Sequence, residues 1–140
     1  AIDWYYTNGI PGAGIKSATV PSAVSTCLAA LEQKGTMSFE KVIAPTLLLL
    51  DAGGQSWYSN LALTLRKLIY TEKNTPGTRE QKIRAARDRF YKGDIADELN
   101  NYYISSGGFL RKADLEAHTT VVEKPVFCNP FTSHYTSSPL

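Results

Sequence analysis

The stretch that decides the fold spans residues 78–96 and reads TREQKIRAARDRFYKGDIA. Thr78 can cap a helix, because its hydroxyl can accept a bond from a free backbone N–H of the first turn. The apolar positions of that helix recur at helical spacing and are Ile83, Ala86 and Phe90. Asp94 can cap a further helix directly after Gly93. The stretch therefore predicts two successive amphipathic helices.

Three more helices are predicted upstream. The first runs from Pro21 to a C-capping Gly35, and its stripe is Val24, Leu28 and Leu31. Ser38 can cap the second, in which Pro45 must kink the helix or begin another one. The third covers residues 57–70, and its stripe is Leu61, Leu65 and Ile69. Residues 1–20 are rich in turn signals and predict a loop.

Downstream, the fifth helix has Ile95, Leu99 and Tyr102 on one face and ends at the Gly-Gly pair 107–108. A short helical turn is expected around Asp114. The β-branched residues 119–122 and then 126–127 predict two short strands. The predicted fold class is a mostly α segment ending in short β strands. We expect one segment over residues 1–140, helical over about 14–118, with a β element starting in 119–140.

Composition and charge restrict the function only weakly. The net charge is +2, and no apolar run approaches the ~20 residues of a membrane span. Basic residues outnumber acidic ones nine to three over residues 66–92. A solvated helix face is the preferred interpretation of that run, with a nucleic-acid footprint as the alternative. Cys27 and Cys128 do not establish a disulfide, and Cys27 is expected to be a buried thiol.

Several motifs resemble catalytic or metal sites, but their neighbouring residues do not fit those sites. Residues 9–17, GIPGAGIKS, have the glycines of a phosphate-binding loop, but Ile15 separates them from the lysine and Pro21 interrupts the following helix. His118 and His134 lack partners at metal-ligand spacing and are expected to be ordinary polar residues. No local serine-nucleophile signature occurs. The sequence therefore assigns no catalytic, cofactor-binding or metal-binding residue and no cofactor.

One family resemblance rests on residues 88–96, DRFYKGDIA, followed by the Gly-Gly pair and Ala113–Ala117. This order resembles the FYKG-x-IA signature, Gly-Gly pair and Asp-Leu segment of the γ-glutamyltranspeptidases. Residues 18–22, 34–39 and 42–45 give weaker support, the last through its internal proline. The resemblance is colinear from about Gly14 to the end of the chain.

The resemblance implies an internal segment of the large subunit of such an enzyme. The family fold is an N-terminal nucleophile hydrolase sandwich, in which a precursor cuts itself and a new N-terminal threonine attacks the substrate. The family's substrate-binding arginine lies upstream of the matched region, and its oxyanion pocket and catalytic threonine lie downstream. The segment alone is therefore expected to be inactive. A chain that stops within a predicted strand is typical of a longer precursor, and the family suggests a periplasmic or extracellular location.

Two positions depart from the family pattern. Arg111 stands where the family places a capping Ser or Thr, which should cost about 1 kcal/mol of helix stability. Ser22 follows Pro21 where the family commonly has glycine. Both changes indicate a divergent member of the family, and neither position takes part in its catalysis.

Three functional hypotheses follow. The first is a scaffold segment of a γ-glutamyltransferase or hydrolase acting on glutathione-like amides, with the small catalytic subunit and the rest of the parent polypeptide as its partners. The second is a segment of a related acylase or amidase with another acyl preference. The third, from another class, is a non-catalytic basic module that binds a protein or nucleic acid. The arginines that would contact nucleic acid are Arg79, Arg84, Arg87 and Arg89.

Overall fold

The structure is a computed structural model that describes residues 2–124 and the backbone of residues 127–128 and 135–136. Helices within this part of the chain are α1 (Ile2–Asn8), α2 (Ser22–Lys34), α3 (Phe39–Asp51), α4 (Tyr58–Asn74), α5 (Arg79–Lys92), α6 (Asp94–Ser105) and α7 (Lys112–Ala117). A 3-10 turn covers Ile15–Ser17. The β residues are β1 (Phe127–Cys128) and β2 (Tyr135–Thr136), which pair antiparallel.

Helix α5 lies at the centre of the fold. It packs against α2 on one side and α4 on the other, and it also contacts α6 and α7, while α3 packs on the far side of α4. The predicted stripe of α5 is confirmed, since Ile83, Ala86 and Phe90 are all buried. The core that surrounds them contains Leu28, Phe39, Leu68, Tyr91, Ile95, Ala96, Leu110 and Leu115. The fold is thus organised around the stretch that carries the FYKG signature.

The predicted helix starts at Ser38 and Thr78 are confirmed. Ser38 Oγ accepts a bond from the Lys41 N–H at 3.3 Å. Thr78 forms a reciprocal capping box with Gln81, in which the Thr78 N–H donates to Gln81 Oε1 at 2.8 Å. Both interactions satisfy backbone donors that the helix itself leaves free.

Arg111 stands in place of the capping Ser or Thr of the family pattern, but its backbone still forms half of a capping box. Its backbone N–H donates to the Asp114 carboxylate at 2.8 Å. Its guanidinium turns back and donates to the carbonyls of Gly108 and Leu110 at 2.7 and 2.8 Å. The side chain therefore ties the start of α7 to the loop before it.

The prediction that the segment ends in short β strands was wrong. Residues 119–124, which include the first predicted strand, contain no strand. The paired residues at 127–128 and 135–136 are two-residue segments joined only to each other, and the described part of the chain is helical. β-Branched residues favour a strand only when a partner strand satisfies their backbone groups, and none lies beside residues 119–124 in the described chain.

The predicted loop over residues 1–20 was wrong at its start, because α1 occupies Ile2–Asn8. Two side chains bond back to the preceding turn: Thr7 Oγ1 donates to the Asp3 carbonyl at 3.1 Å and Asn8 Nδ2 to the Trp4 carbonyl at 2.8 Å. Trp4 and Tyr5 pack against Phe109, with ring centroids 5.4 and 5.3 Å apart. A seven-residue helix has only marginal stability by itself, so α1 depends on this aromatic packing. The sequence of residues 1–20 does not show that packing.

Pro45 does not divide the second predicted helix. α3 is assigned as one helix from Phe39 to Asp51 with Pro45 inside it, and no second helix begins there. Pro45 lies on the exposed side, where the carbonyl one turn earlier can bond to water. The predicted stop at residues 51–54 is confirmed, and Gly53 and Gly54 both have positive φ.

The predicted stripes of α4 and α6 are shifted. In α4, Leu65 and Ile69 pack on the core, but Leu61 is exposed and the buried residues are Ala62, Leu68 and Glu72. In α6, Ile95 and Leu99 face the core, but Tyr103 joins them in place of the exposed Tyr102. The buried face of each helix is rotated by about one residue from the predicted stripe. A short apolar pattern does not determine the face more exactly than this.

Cys27 also differs from the expectation of a buried thiol, because it is exposed on α2. The buried residues beside it are Ser25, Leu28 and Ala29. The side chain of Cys128 lies outside the described residues. Among the helices that the structure describes, none combines the length and apolar character needed to cross a membrane.

Candidate functional site

Tyr91, the tyrosine of the FYKG signature, connects α5 to the start of α2. Its ring is 3% exposed, and its hydroxyl accepts the Ser25 N–H at 2.9 Å and donates to the Pro21 carbonyl at 2.5 Å. Both partners belong to the start of α2, so the hydroxyl joins α5 to the first turn of α2. Burial of the phenol raises the pKa of Tyr91, since the phenolate would lose its hydration.

A cleft of ≈ 200 Å³ opens beside this contact, between α2, α5 and the segment that follows α7. Its lining consists of Ser25, Arg87, Asp88, Tyr91, Lys92, Glu116, His118, Thr119 and Thr120. Ser25 Oγ and Thr120 Oγ1 are hydrogen-bonded at 2.7 Å, which holds the outgoing chain against α2. Lys92 and Asp88 pair at 3.1 Å across one helical turn. The cleft is polar and carries both signs of charge.

His118 lies in the wall of the cleft. Its ring stacks on Tyr91 with centroids 5.5 Å apart and planes inclined by 30°. Its Nε2 is buried and has no hydrogen-bond partner among the described residues. The described geometry of His118 is thus a stacking contact on Tyr91 with Nε2 unpaired. His134 lies outside the described residues.

We expect Tyr91→Phe to destabilise the 140-residue chain by about 1–3 kcal/mol, because the Ser25 N–H would be left buried without its acceptor. Urea denaturation followed by circular dichroism measures the change. Tyr102→Phe is the matched control, since Tyr102 is 60% exposed, and should change stability by less than about 0.5 kcal/mol. Equal effects of the two substitutions would contradict the connecting role of Tyr91.

The glycine and aspartate after Tyr91 form a tight junction between α5 and α6. A Cβ at Gly93 would lie 2.7 Å from the Arg89 carbonyl oxygen, so a side chain there would force the backbone to move. Gly93 is also the N-cap of α6, which corrects the assignment of that role to Asp94. The Arg89 guanidinium bonds both carboxylate oxygens of Asp94, at 2.8 and 2.9 Å, and holds the pKa of Asp94 at about 2.

The acidic residues of α6 serve ion pairs as well as the helix dipole. Asp94 also lies 3.6 Å from Lys67 of α4, and Lys67 pairs with Glu98 at 2.6 Å. Asp97 pairs with Lys112 of α7 at 2.7 Å. These carboxylates therefore attach α6 to its neighbours. The structure gives no group of three or more His, Cys, Asp or Glu suited to a metal ion within the described residues.

The four arginines proposed for nucleic-acid contact are all bound to groups of this chain. Arg79 donates to the carbonyls of Leu31 and Glu32 at 3.0 and 2.9 Å, and so covers the C-terminal end of α2. Arg84 and Arg87 both bond the carboxylate of Glu32, which is 9% exposed. The basic run thus serves in part to bond α5 to α2.

The glycine-rich segment 9–17 leads into a 3-10 turn, and its lysine is engaged elsewhere. Lys16 Nζ lies 4.4 Å from the centre of the Trp4 ring, a cation–π contact. Ser17 Oγ donates to the Gly14 carbonyl at 2.7 Å. The lysine and serine of this segment therefore have structural partners in the N-terminal part of the fold.

Two polar positions of the described chain were missed by sequence reasoning. Glu72 lies within an amphipathic helix and Ser25 within an apolar stripe, and neither stands in a motif. Both are buried, at 4% and 3% exposure. For Glu72 the available signal was that the single Ser38 hydroxyl bonds only the Lys41 N–H of α3, so the N–H groups of Phe39 and Glu40 need an acceptor from elsewhere in the chain.

The described residues thus define a helical module with a polar cleft that can hydrogen-bond and ion-pair. Ser25, Thr119, Thr120 and His118 all line this cleft, and His118 Nε2 has no hydrogen bond to any of them. The class that this fold and site define is an α-helical module.

Comparison with known proteins adds a relative. The chain is 29% identical to the glutathione hydrolase proenzyme of Pseudomonas sp. (strain A14) over 160 aligned positions, which cover 94% of this chain and 28% of that protein. The chain therefore spans less than a third of the length of the relative it matches. No family model matches the chain, and no solved structure gives a significant match. The family resemblance is supported in part, and the N-terminal nucleophile hydrolase fold stays a prediction.

Proposed function

We propose that this chain is a single scaffold segment of a γ-glutamyltransferase or hydrolase that acts on γ-glutamyl amides such as glutathione. The observation that carries the proposal is the similarity to a glutathione hydrolase proenzyme over 94% of this chain. The parent polypeptide would cut itself and use a threonine outside this segment as its nucleophile. The segment alone would have no turnover.

The placement of the signature residues supports a scaffold role. Phe90, Tyr91, Ile95 and Ala96 are each no more than 8% exposed and belong to the core. Phe90, Ile95 and Ala96 are packed in the core, and Tyr91, which also lines the cleft, bonds the start of α2. These side chains fix α5 against α2 and α6. The signature in this chain is thus explained by packing.

The test is an assay of the full-length gene product with a γ-glutamyl anilide, which releases a coloured amine on transfer or hydrolysis. We expect self-cleavage into two subunits and release of the amine, and no release from the 140-residue chain. A folded full-length product that neither cleaves itself nor releases the amine would contradict the proposal. Release from other acyl anilides, but not from the γ-glutamyl compound, would favour the related acylase or amidase.

The nucleic-acid alternative requires free guanidinium groups on α5. Since Arg79, Arg84, Arg87 and Arg89 all bond to groups of this chain, no specific observation favours that alternative.

A further inference from the structure

Helix α3 is apolar on two opposite sides. Phe39 and Leu50 are buried toward α4, and Ile43 packs against the core. On the other side, Leu48 and Leu49 are 73% and 71% exposed. A helix that is hydrophobic all round is typically buried all round, whereas a surface helix has a polar outer face. The outer face of α3, defined here as Val42, Pro45, Leu48 and Leu49, therefore has the composition of a covered surface.

The position of α3 leaves this outer face uncovered within the described residues. α3 makes its main helix contact with α4 and lies at the edge of the helical layer. Both carboxylates of α3 are already paired, Glu40 with Lys73 at 2.7 Å and Asp51 with Arg66 at 2.7 Å, and the one cation of the helix, Lys41, is exposed near its N-terminal end. Because the carboxylates are paired within the chain and the residues that define the outer face are apolar, the chemistry that fits this face is an apolar surface.

We propose that the outer face of α3 is covered by an apolar surface of the remainder of the parent polypeptide, an inference that rests on the proposed function. The matched region is 28% of the related proenzyme, so most of that polypeptide lies outside it and can supply the covering surface. The thirteen residues of α3 form a rod of roughly 20 Å, long enough to pack along another helix or across several strands.

The experiment measures thiol accessibility in the full-length gene product, in a version without other cysteines. Leu49→Cys places a thiol on the outer face, and its reaction rate with a maleimide is compared with the rate of the same variant in denaturant. We expect at least a tenfold slower reaction in the native protein. Asn101→Cys, at an exposed position on α6, shows whether the reagent reaches other parts of the segment. Circular dichroism of both variants checks that they are folded.

Native rates of Leu49→Cys that match its denatured rate would overturn the inference. Protection that disappears on dilution would also overturn it, because a second copy would then be the occupant. The γ-glutamyl anilide assay tests the proposed function independently on the same samples. Concentration-independent protection in a protein that releases no amine would support the covered face and contradict the proposed function.

Discussion

Replacing Leu68 by alanine is expected to lower the free energy of unfolding of the 140-residue chain by about 2–5 kcal/mol. Leu68 is 0% exposed and lies in the core between α4 and α5. The substitution removes buried methyl groups and leaves a cavity that the surrounding helices fill only in part. Since a domain of this size is stable by only about 5–15 kcal/mol, the loss is a large fraction of the total. Urea titration of both proteins measures it.

Leu48→Ala is the matched control, because it makes the same chemical change on the neighbouring helix. Leu48 is 73% exposed, so its truncation should change the stability of this chain by no more than about 0.5 kcal/mol. If the two substitutions cost the same, the placement of α4 would be wrong by a rotation about its axis.

Glu72→Ala is expected to cost about 2–3 kcal/mol, although glutamate is usually an exposed residue. The Glu72 carboxylate accepts the N–H groups of Phe39 at 2.7 Å and Glu40 at 3.0 Å. These are the first two residues of α3, whose N–H groups have no partner within the helix. Glu72 therefore caps α3 from α4 and also places a negative charge at the positive end of its dipole. Thermal and urea unfolding measure the loss.

Glu98→Ala serves as the control for a lost glutamate charge. Glu98 pairs with Lys67 at 2.6 Å, but its side chain is 66% exposed, and an exposed pair contributes at most about 1 kcal/mol. Glu72→Gln should fall between the two, since the amide keeps an acceptor oxygen and loses the charge. A Glu72→Ala variant as stable as Glu98→Ala would rule out the capping role.

The caps and the α5 stripe could be predicted because their causes are local. A side chain at the first position of a helix bonds a donor three residues away, as Ser38 and Thr78 do, so the relevant partner is in the printed sequence. The N-cap of α6 was missed by one position, because it is Gly93 and not the predicted Asp94. The stripe of α5 was recognisable because its other positions are almost all charged.

The candidate site could not be predicted in the same way. Ser25 and Tyr91 are 66 positions apart, and Phe39 and Glu72 are 33 apart, so no local pattern joins them. The predictions of a loop at α1 and of a strand within residues 119–124 were wrong for a related reason. A short helix needs a surface to pack on, and a strand needs a partner strand. The local sequence of these segments shows neither.

The sequence by itself determined the helical character of residues 22–117, the main helix ends and the residues that resemble the γ-glutamyltranspeptidase signature. Only the tertiary structure decided that Tyr91 bridges α5 to α2, that Glu72 caps α3 and that Arg84 and Arg87 of α5 bond Glu32 of α2. The physical reason is the range of the forces that act. Helix propensity and capping act within a few residues, whereas a buried polar group takes its partner from whichever element the packing of apolar faces brings beside it.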